Sequence, residues 1–342
     1  MKKLSLVMAV VLFTGVLLIG AGGSMVSADD DFQITLRLSH VFSPEEQLTK
    51  SMDLVADSIR EKTDGAINIQ TFPQGQIAAY KDGVEQVARG AHFISVEDPT
   101  YIGDYVPDFT AMVGPMLYSN YDEYVAMTDT DLVADMKEEL AEEHNIKVLS
   151  LDYVFGFRNV ITDEVIETPE DLDGIRLRVP GSQLFIETLN AMGANATPLP
   201  WGETISAMQQ GVVDGIEGSE FTNLGNSIYE VKKNVAFTRH FLGTCGVYIN
   251  TDVWDSIPAR YQTIIQDEFD AGAVHMVELL QSQHADVVEE LESYGVEFNE
   301  VDYEAFVDAT QHIYDTFPGF SPDIYERLQA ELEIIRQDLA IQ

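Results

Sequence analysis

Residues 34–97 read ITLRLSHVFSPEEQLTKSMDLVADSIREKTDGAINIQTFPQGQIAAYKDGVEQVARGAHFISVE, and this stretch decides the fold. Ile34, Leu36 and Leu38 alternate with polar residues at strand spacing, and the run ends at Ser39-His40. Ser43, Pro44 and Glu46 have the spacing of a capping box with proline at the first helical position. Leu48, Met52, Val55 and Ile59 then share one helical stripe, so a helix is predicted from here until Gly65 stops it. Ile67, Ile69 and Thr71 form a second predicted strand, Phe72 to Gly75 a turn, Asp82 to Arg89 a short helix, and His92 to Val96 a third strand. This strand–helix–strand rhythm predicts an α/β fold, a mostly parallel sheet covered by helices.

The rhythm returns between residues 146 and 250. Strands are predicted at Lys147 to Leu151, Gly156 to Ile161, Ile175 to Val179 and Val213 to Glu217, with helices at Gln183 to Met192 and Gly202 to Gly211. From Pro258 to Tyr294 the pattern is helical throughout, with Ile264, Phe269, Met276, Leu280, Val287 and Leu291 on or near one stripe. One helix of that length would reach about 50 Å, enough to brace two lobes. Two helices broken at Gly272 are the plainer alternative. No Gly/Ser linker separates the halves, so two lobes would be joined by several crossings of the chain.

Lys2 and Lys3 precede the apolar run Leu4 to Ile19, and Val26-Ser27-Ala28 forms a small-x-Ala site before an acidic run, Asp29 to Asp31. This is the pattern of a cleavable secretory signal over residues 1–28, with a retained membrane anchor as the alternative. The chain therefore reads as exported and periplasmic, or as lying on the cell surface where there is a single membrane. With 58 acidic against 19 basic residues, the formal charge is −39, which argues against nucleic acid as a partner. Such charge suits an exported monomer in a saline habitat, although a generic acidic surface gives the same number. Cys245, the only cysteine, excludes an intrachain disulfide, and its apolar strand setting reads as a small buried hydrophobe.

Arg158 and Arg178 stand out in a chain this poor in cations, since a guanidinium fork matches a carboxylate in two parallel hydrogen bonds. In Ile175-Arg176-Leu177-Arg178-Val179-Pro180 the odd positions face the core, and proline ends the strand with Arg178 at its carboxyl end, where open α/β sheets bind ligands. By spacing alone, Arg178 is a ligand clamp or a surface charge. The chain has no nucleophile elbow, no His-Glu-x-x-His, no dinucleotide fingerprint and no Walker loop, so the commonest enzyme motifs are missing. His275 and His284 lack the spacing of a helical metal pair. His40 ends the first strand at the expected cleft mouth, as a ligand contact or a structural hydrogen bond.

The ordered motifs Leu38-Ser39-His40, Phe72-Pro73-Gln74-Gly75-Gln76, Thr168 to Pro180, Gly193 to Glu203 and Ala207 to Glu217 resemble those of the solute-binding proteins of tripartite ATP-independent periplasmic (TRAP) transporters, of the dicarboxylate-binding type. The resemblance implies a two-lobed periplasmic-binding-protein-like fold with a hinge, a central cleft and a lobe-bridging helix. It implies a binding protein, not an enzyme, without cofactor or metal, that captures a small organic acid and delivers it to membrane permease subunits. Input to a sensor or chemotaxis system is the alternative, and an exported enzyme acting on a small carboxylate is the third reading. The expected lobes are residues 29–155 plus 244–283, and 156–243 plus 284–342.

Arg178 matches the family's carboxylate-binding arginine, Arg158 a second arginine that often contacts the same ligand, and Trp201 an aromatic that packs on it. The resemblance also places Glu217, Gly218, Ser219 and Phe221 at the site, with Glu217 in some relatives beside a cation. The chain departs from its relatives at Ile77 to Lys81, at Gly218-Ser219, and at Glu97-Asp98, where carboxylates stand at the cleft wall. An acid facing an anion repels it unless protonated or paired with a hydroxyl, amine or cation, so a sugar acid or hydroxy acid is expected over a plain C4-dicarboxylate.

Overall fold

In the computed structural model, whose described residues are 32–340, the alternation seen in the sequence becomes one mixed sheet. The expected signal segment, 1–28, lies outside the described residues. Strands β1 (Ile34–Ser39), β2 (Ile67–Phe72) and β3 (Phe93–Glu97) form a parallel wing with β1 in the middle. Strands β5 (Arg176–Val179), β6 (Asn195–Pro198) and β7 (Gly215–Gly218) form a second parallel wing around β5.

Between the wings run β4 (Ile146–Thr162) and β8 (Asn234–Asn250), an antiparallel ribbon of 17 residues per strand. At about 3.3 Å per residue each spans roughly 55 Å. β3 joins antiparallel to β8 at Gly246–Ile249, and β7 joins antiparallel to β4 at Asn159–Ile161, so each wing hangs from a different end of the ribbon. β9 (Glu297–Asn299) adds parallel to β8. The sheet is thus parallel in its wings and at the short β8–β9 pair, and antiparallel elsewhere. The two strands expected at Lys147 to Leu151 and Gly156 to Ile161 are one strand, because Asp152 and Gly156, which break the apolar pattern, sit at bulges of the ribbon and do not end it. Gly156 has φ +106°, and a Cβ there would stand 2.8 Å from that of Ser219.

The long helix, Ala259–Ser293, is continuous through Gly272. Glycine stands there for proximity: an added Cβ would meet the Tyr153 hydroxyl and Val55 Cγ2 at 2.6 Å each. Phe269, Ala273, Met276 and Leu280 bury the stripe that packs on β4 and on the helix Gln47–Lys62. The first helix begins at Gln47, three residues later than the capping box implied. Glu46 does accept from the Ser43 backbone N–H (2.7 Å), but the Ser43 hydroxyl donates elsewhere, to Gly225 O at 3.2 Å, so only half of the box forms. The helix expected at Gly202 to Gly211 is a 3-10 turn, Trp201–Glu203, followed by Thr204–Gln209. Among the described residues no helix is long and apolar enough to cross a membrane.

Candidate ligand-binding site

The carboxyl ends of the wing strands converge on the middle of the ribbon. Glu97 ends β3 and Asp98 follows it; Arg178 lies one residue from the end of β5; Glu217 lies in β7; Phe155, Arg158 and Cys245 come from the ribbon. With Phe42, Tyr80, Tyr101, Phe185 and Trp201 they line a cavity of about 70 Å³. At roughly 10–15 Å³ per water, that holds several waters or one small solute.

The two arginines differ in kind. Arg158 binds both oxygens of Glu217 through Nε and Nη2, at 2.5 Å each, so its charge is neutralised within the wall. Its guanidinium also lies 4.9 Å from the Phe185 ring centroid and 5.5 Å from that of Phe155. Burial pushes the Glu217 carboxyl up, but the Arg158 charge and the hydrogen bonding of Arg158 and His240 together outweigh it and hold the group at about 2. His240, wholly buried, sets Nε2 3.6 Å from Glu217 and is tied at Nδ1 to the Thr238 hydroxyl, 2.8 Å away. Burial pulls the His240 pKa below its usual value, which favours the neutral ring.

Arg178 is only 2% exposed, yet it makes no ion pair among the described residues. Its Nε donates to Leu199 O (2.9 Å), its Nη2 reaches the Tyr80 hydroxyl (3.3 Å), and its guanidinium lies 5.1 Å from the Trp201 ring centroid. Burial pulls its pKa down. A guanidinium removed from water without a carboxylate partner is costly unless an anion completes it. Arg176, next on the same side of β5, is exposed and forks onto Asp214 at 2.7 and 2.9 Å, so the surface-charge role falls to it.

The same cavity is lined by buried acids whose carboxyls are shifted toward the neutral form. Burial raises Glu97 to about 8, even though its Oε1 accepts from the Tyr80 N–H at 2.7 Å. Burial also raises Asp98, which accepts from Thr100 N–H at 2.9 Å, and Glu46. The cavity can therefore bind an anion at Arg178 and exchange hydrogen bonds with hydroxyls at Glu97 and Asp98.

Of the residues singled out in the sequence, Arg158, Arg178, Trp201, Glu97 and Glu217 line this cavity. His40 is buried behind it with neither ring nitrogen bonded, 6.0 Å from the Phe42 ring, and burial lowers its pKa to about 4. Ser219 caps the helix Glu220–Gly225, Gly218 packs on Thr222, and Phe221 faces a groove beside the long helix. Tyr80, Tyr101, Phe42, Phe155 and Phe185 were missed, because a lone aromatic carries no local signal that separates a cavity wall from a core. Among the described residues no group of three or more His, Cys, Asp or Glu could hold a metal ion.

The strand ends of this fold surround a buried arginine that has no ion pair among the described residues, an arrangement suited to holding a small anion. The family model of bacterial extracellular solute-binding proteins, family 7 (DctP), matches residues 38–319, and the chain belongs to that family. It is a two-lobed TRAP solute-binding protein, of a periplasmic family whose members pass small ligands to membrane permease subunits and are substrate-binding proteins, not enzymes. A TRAP periplasmic solute-binding protein of Desulfovibrio salexigens, solved with diglycerolphosphate, is 64% identical over 91% of this chain and 100% of its own, with a TM-score of 0.89. A Fusobacterium nucleatum counterpart with bound sn-glycerol-3-phosphate is 42% identical over 90% and 99%, with a TM-score of 0.88. An Actinobacillus succinogenes counterpart with bound L-galactonate is 28% identical over 88% and 100%, with a TM-score of 0.84.

Proposed function

We propose that this TRAP solute-binding protein captures a small, hydroxyl-bearing organic acid in the periplasm, after loss of its signal peptide, and hands it to the permease as a monomer. The observation that carries this reading is Arg178, a buried guanidinium with an anion's place open beside it and with Glu97 and Asp98 across the cavity to meet hydroxyls. The relatives solved with a sugar acid and with glycerol phosphates hold ligands of this kind, an anionic group on a polyol. The carboxylate expected from the sequence and a phosphate ester are both within reach of a guanidinium fork.

Capture works by closure. One lobe, residues 29–155 plus 244–283, supplies Tyr80, Glu97 and Asp98; the other, 156–243 plus 284–342, supplies Arg158, Arg178, Trp201 and Glu217. The chain passes between them at the bulged middle of the β4–β8 ribbon and along the long helix, which act as the hinge. Contacts across the cleft, from Tyr80 to Arg178 and Trp201 and from Ser43 to Gly225, hold the closed form that the permease recognises. The ligand leaves chemically unchanged, and nucleic acid is no partner of a surface this acidic.

The test is a thermal-shift panel of sugar acids, hydroxy acids, polyol phosphates, amino acids and neutral sugars. A ligand at a hundredfold excess over its Kd contributes about 2.7 kcal/mol to the folded form. Shifts confined to polyol anions support the reading; shifts with neutral sugars or amino acids alone overturn it.

A further inference from the structure

We infer that Glu97 is a positioning residue for anion capture: it acts on Arg178 through Tyr80, whose backbone it holds in a left-handed turn. The inference rests on the reading of the site as a polyol-anion pocket with Arg178 as its clamp, and it gives Glu97 a task besides meeting ligand hydroxyls. Tyr80 has φ +55°, a region where a bulky side chain is strained and persists only when its surroundings impose it. The helix it opens, Tyr80–Ala88, receives no capping bond from the side chain of Ala79. In its place Oε1 of Glu97, 17 residues further along, accepts from the Tyr80 N–H at 2.7 Å. Loss of that bond would free Tyr80 to relax to a negative φ and carry its hydroxyl away from Arg178.

Both ends of this relay are fixed. Glu97 is buried at the end of β3, its backbone is paired with Gly246 of β8, and its carbonyl accepts from the Tyr248 hydroxyl at 3.1 Å. The helix sits close on the same strand, since an added Cβ at Gly83 would stand 2.7 Å from Ser95 Oγ. At the other end the Tyr80 hydroxyl accepts from Arg178 Nη2 at 3.3 Å and from Trp201 N–H at 3.1 Å. Leu199 O takes the Nε hydrogen and Tyr80 one of those on Nη2, so the outer fork, Nη1 with the second Nη2 hydrogen, serves the anion. Because the Tyr80 oxygen accepts twice, its own proton serves as a further donor beside that fork. A carboxyl on one wing thus sets the aim of the arginine on the other.

Calorimetric titration of the mature protein with sn-glycerol-3-phosphate and L-galactonate tests this, in the wild type, Glu97→Gln, Glu97→Asp, Tyr80→Phe and the double variant Glu97→Asp/Tyr80→Phe. The glutamine amide oxygen can still accept from the Tyr80 N–H, so Glu97→Gln is expected to stay within about threefold of the wild type. Aspartate keeps the acid but is one methylene too short to reach that N–H, so Glu97→Asp is expected to weaken binding about tenfold. In the Tyr80→Phe background, which has no hydroxyl left to aim, the same change is expected to cost less than about threefold. An equal loss in both backgrounds, or Glu97→Asp binding as tightly as the wild type, overturns the inference and leaves the polyol-anion reading standing. Hydrogen exchange of the Tyr80 amide reads the relay without ligand, and without need of a variant that folds. It should be slow in the wild type and in Glu97→Gln and about tenfold faster in Glu97→Asp, and an unprotected Tyr80 amide in the wild type overturns the inference. If the wild type binds neither anion, the polyol-anion reading falls and the inference with it.

Discussion

Arg158 and Glu217 satisfy each other through two parallel hydrogen bonds of 2.5 Å, inside a wall where Glu217 is wholly buried and Arg158 nearly so. The consequence is a division of labour: Arg158 shapes and stiffens the cavity, and among the described residues that line it Arg178 alone brings a charge without an ion pair. Glu217→Gln leaves a buried guanidinium facing an amide, and breaking such a pair costs about 3–5 kcal/mol. Urea unfolding should show a loss of that order, largely recovered in Arg158→Met/Glu217→Leu. A single variant as stable as the wild type would mean that the pair is not what holds this wall.

Tyr80, which lies in the chain between β2 and β3, reaches the wing of β5 by accepting from Trp201 N–H (3.1 Å) and Arg178 Nη2 (3.3 Å). Tyr80→Phe should speed ligand release by about three- to tenfold, the value of one such hydrogen bond, with little change in the association rate. Stopped-flow fluorescence of Trp201 measures both rates. An unchanged release rate would remove Tyr80 from the closing contacts.

Gly272 inverts the usual rule for helices. Glycine inside a helix is ordinarily worse than alanine by about 1 kcal/mol. Here an alanine methyl would strike Tyr153 and Val55 at 2.6 Å, so Gly272→Ala should destabilise by about 1–3 kcal/mol. Chemical denaturation gives the sign directly, and a stabilised variant would show that the long helix packs less closely on β4.

Buried acids set the pH profile. Glu97 at about 8 and Glu220 at about 7, both pushed up by burial from an ordinary 4.5, keep their protons in the fold over a range in which the unfolded chain has lost them. Their contribution is therefore full below pH 4.5 and is lost as pH rises through 7 and 8. Glu217, held at about 2, acts in the opposite sense, present above pH 4.5 and lost as pH falls toward 2. Stability should thus peak near pH 5 and decline toward pH 9, and Glu97→Gln should flatten the alkaline limb. An alkaline limb unchanged in Glu97→Gln would contradict the assignment.

Much of this was legible in the sequence, for physical reasons. β1 and β2 announce themselves because their apolar residues alternate, β3 because it is a short, fully buried apolar run, and Arg178 because Pro180 marks the strand end beside it. The central ribbon was split by Asp152 and Gly156, whose local signals belong to bulges that only the partner strand reveals. Nothing local distinguishes Arg158, already paired with a glutamate 59 residues away, from Arg178, which is not. Tyr80 and Tyr101 were invisible as site residues because their roles depend on a wing 98 residues further along the chain.

The central claim is that Arg178 captures the anion. Calorimetry of Arg178→Ala and Arg178→Lys against the tightest ligand of the panel tests it most directly. Loss of roughly 2–5 kcal/mol in Arg178→Ala, with only partial recovery in Arg178→Lys because the ammonium lacks the fork, is the predicted result. Near wild-type affinity in Arg178→Ala would contradict it and move the anion to another part of the cavity.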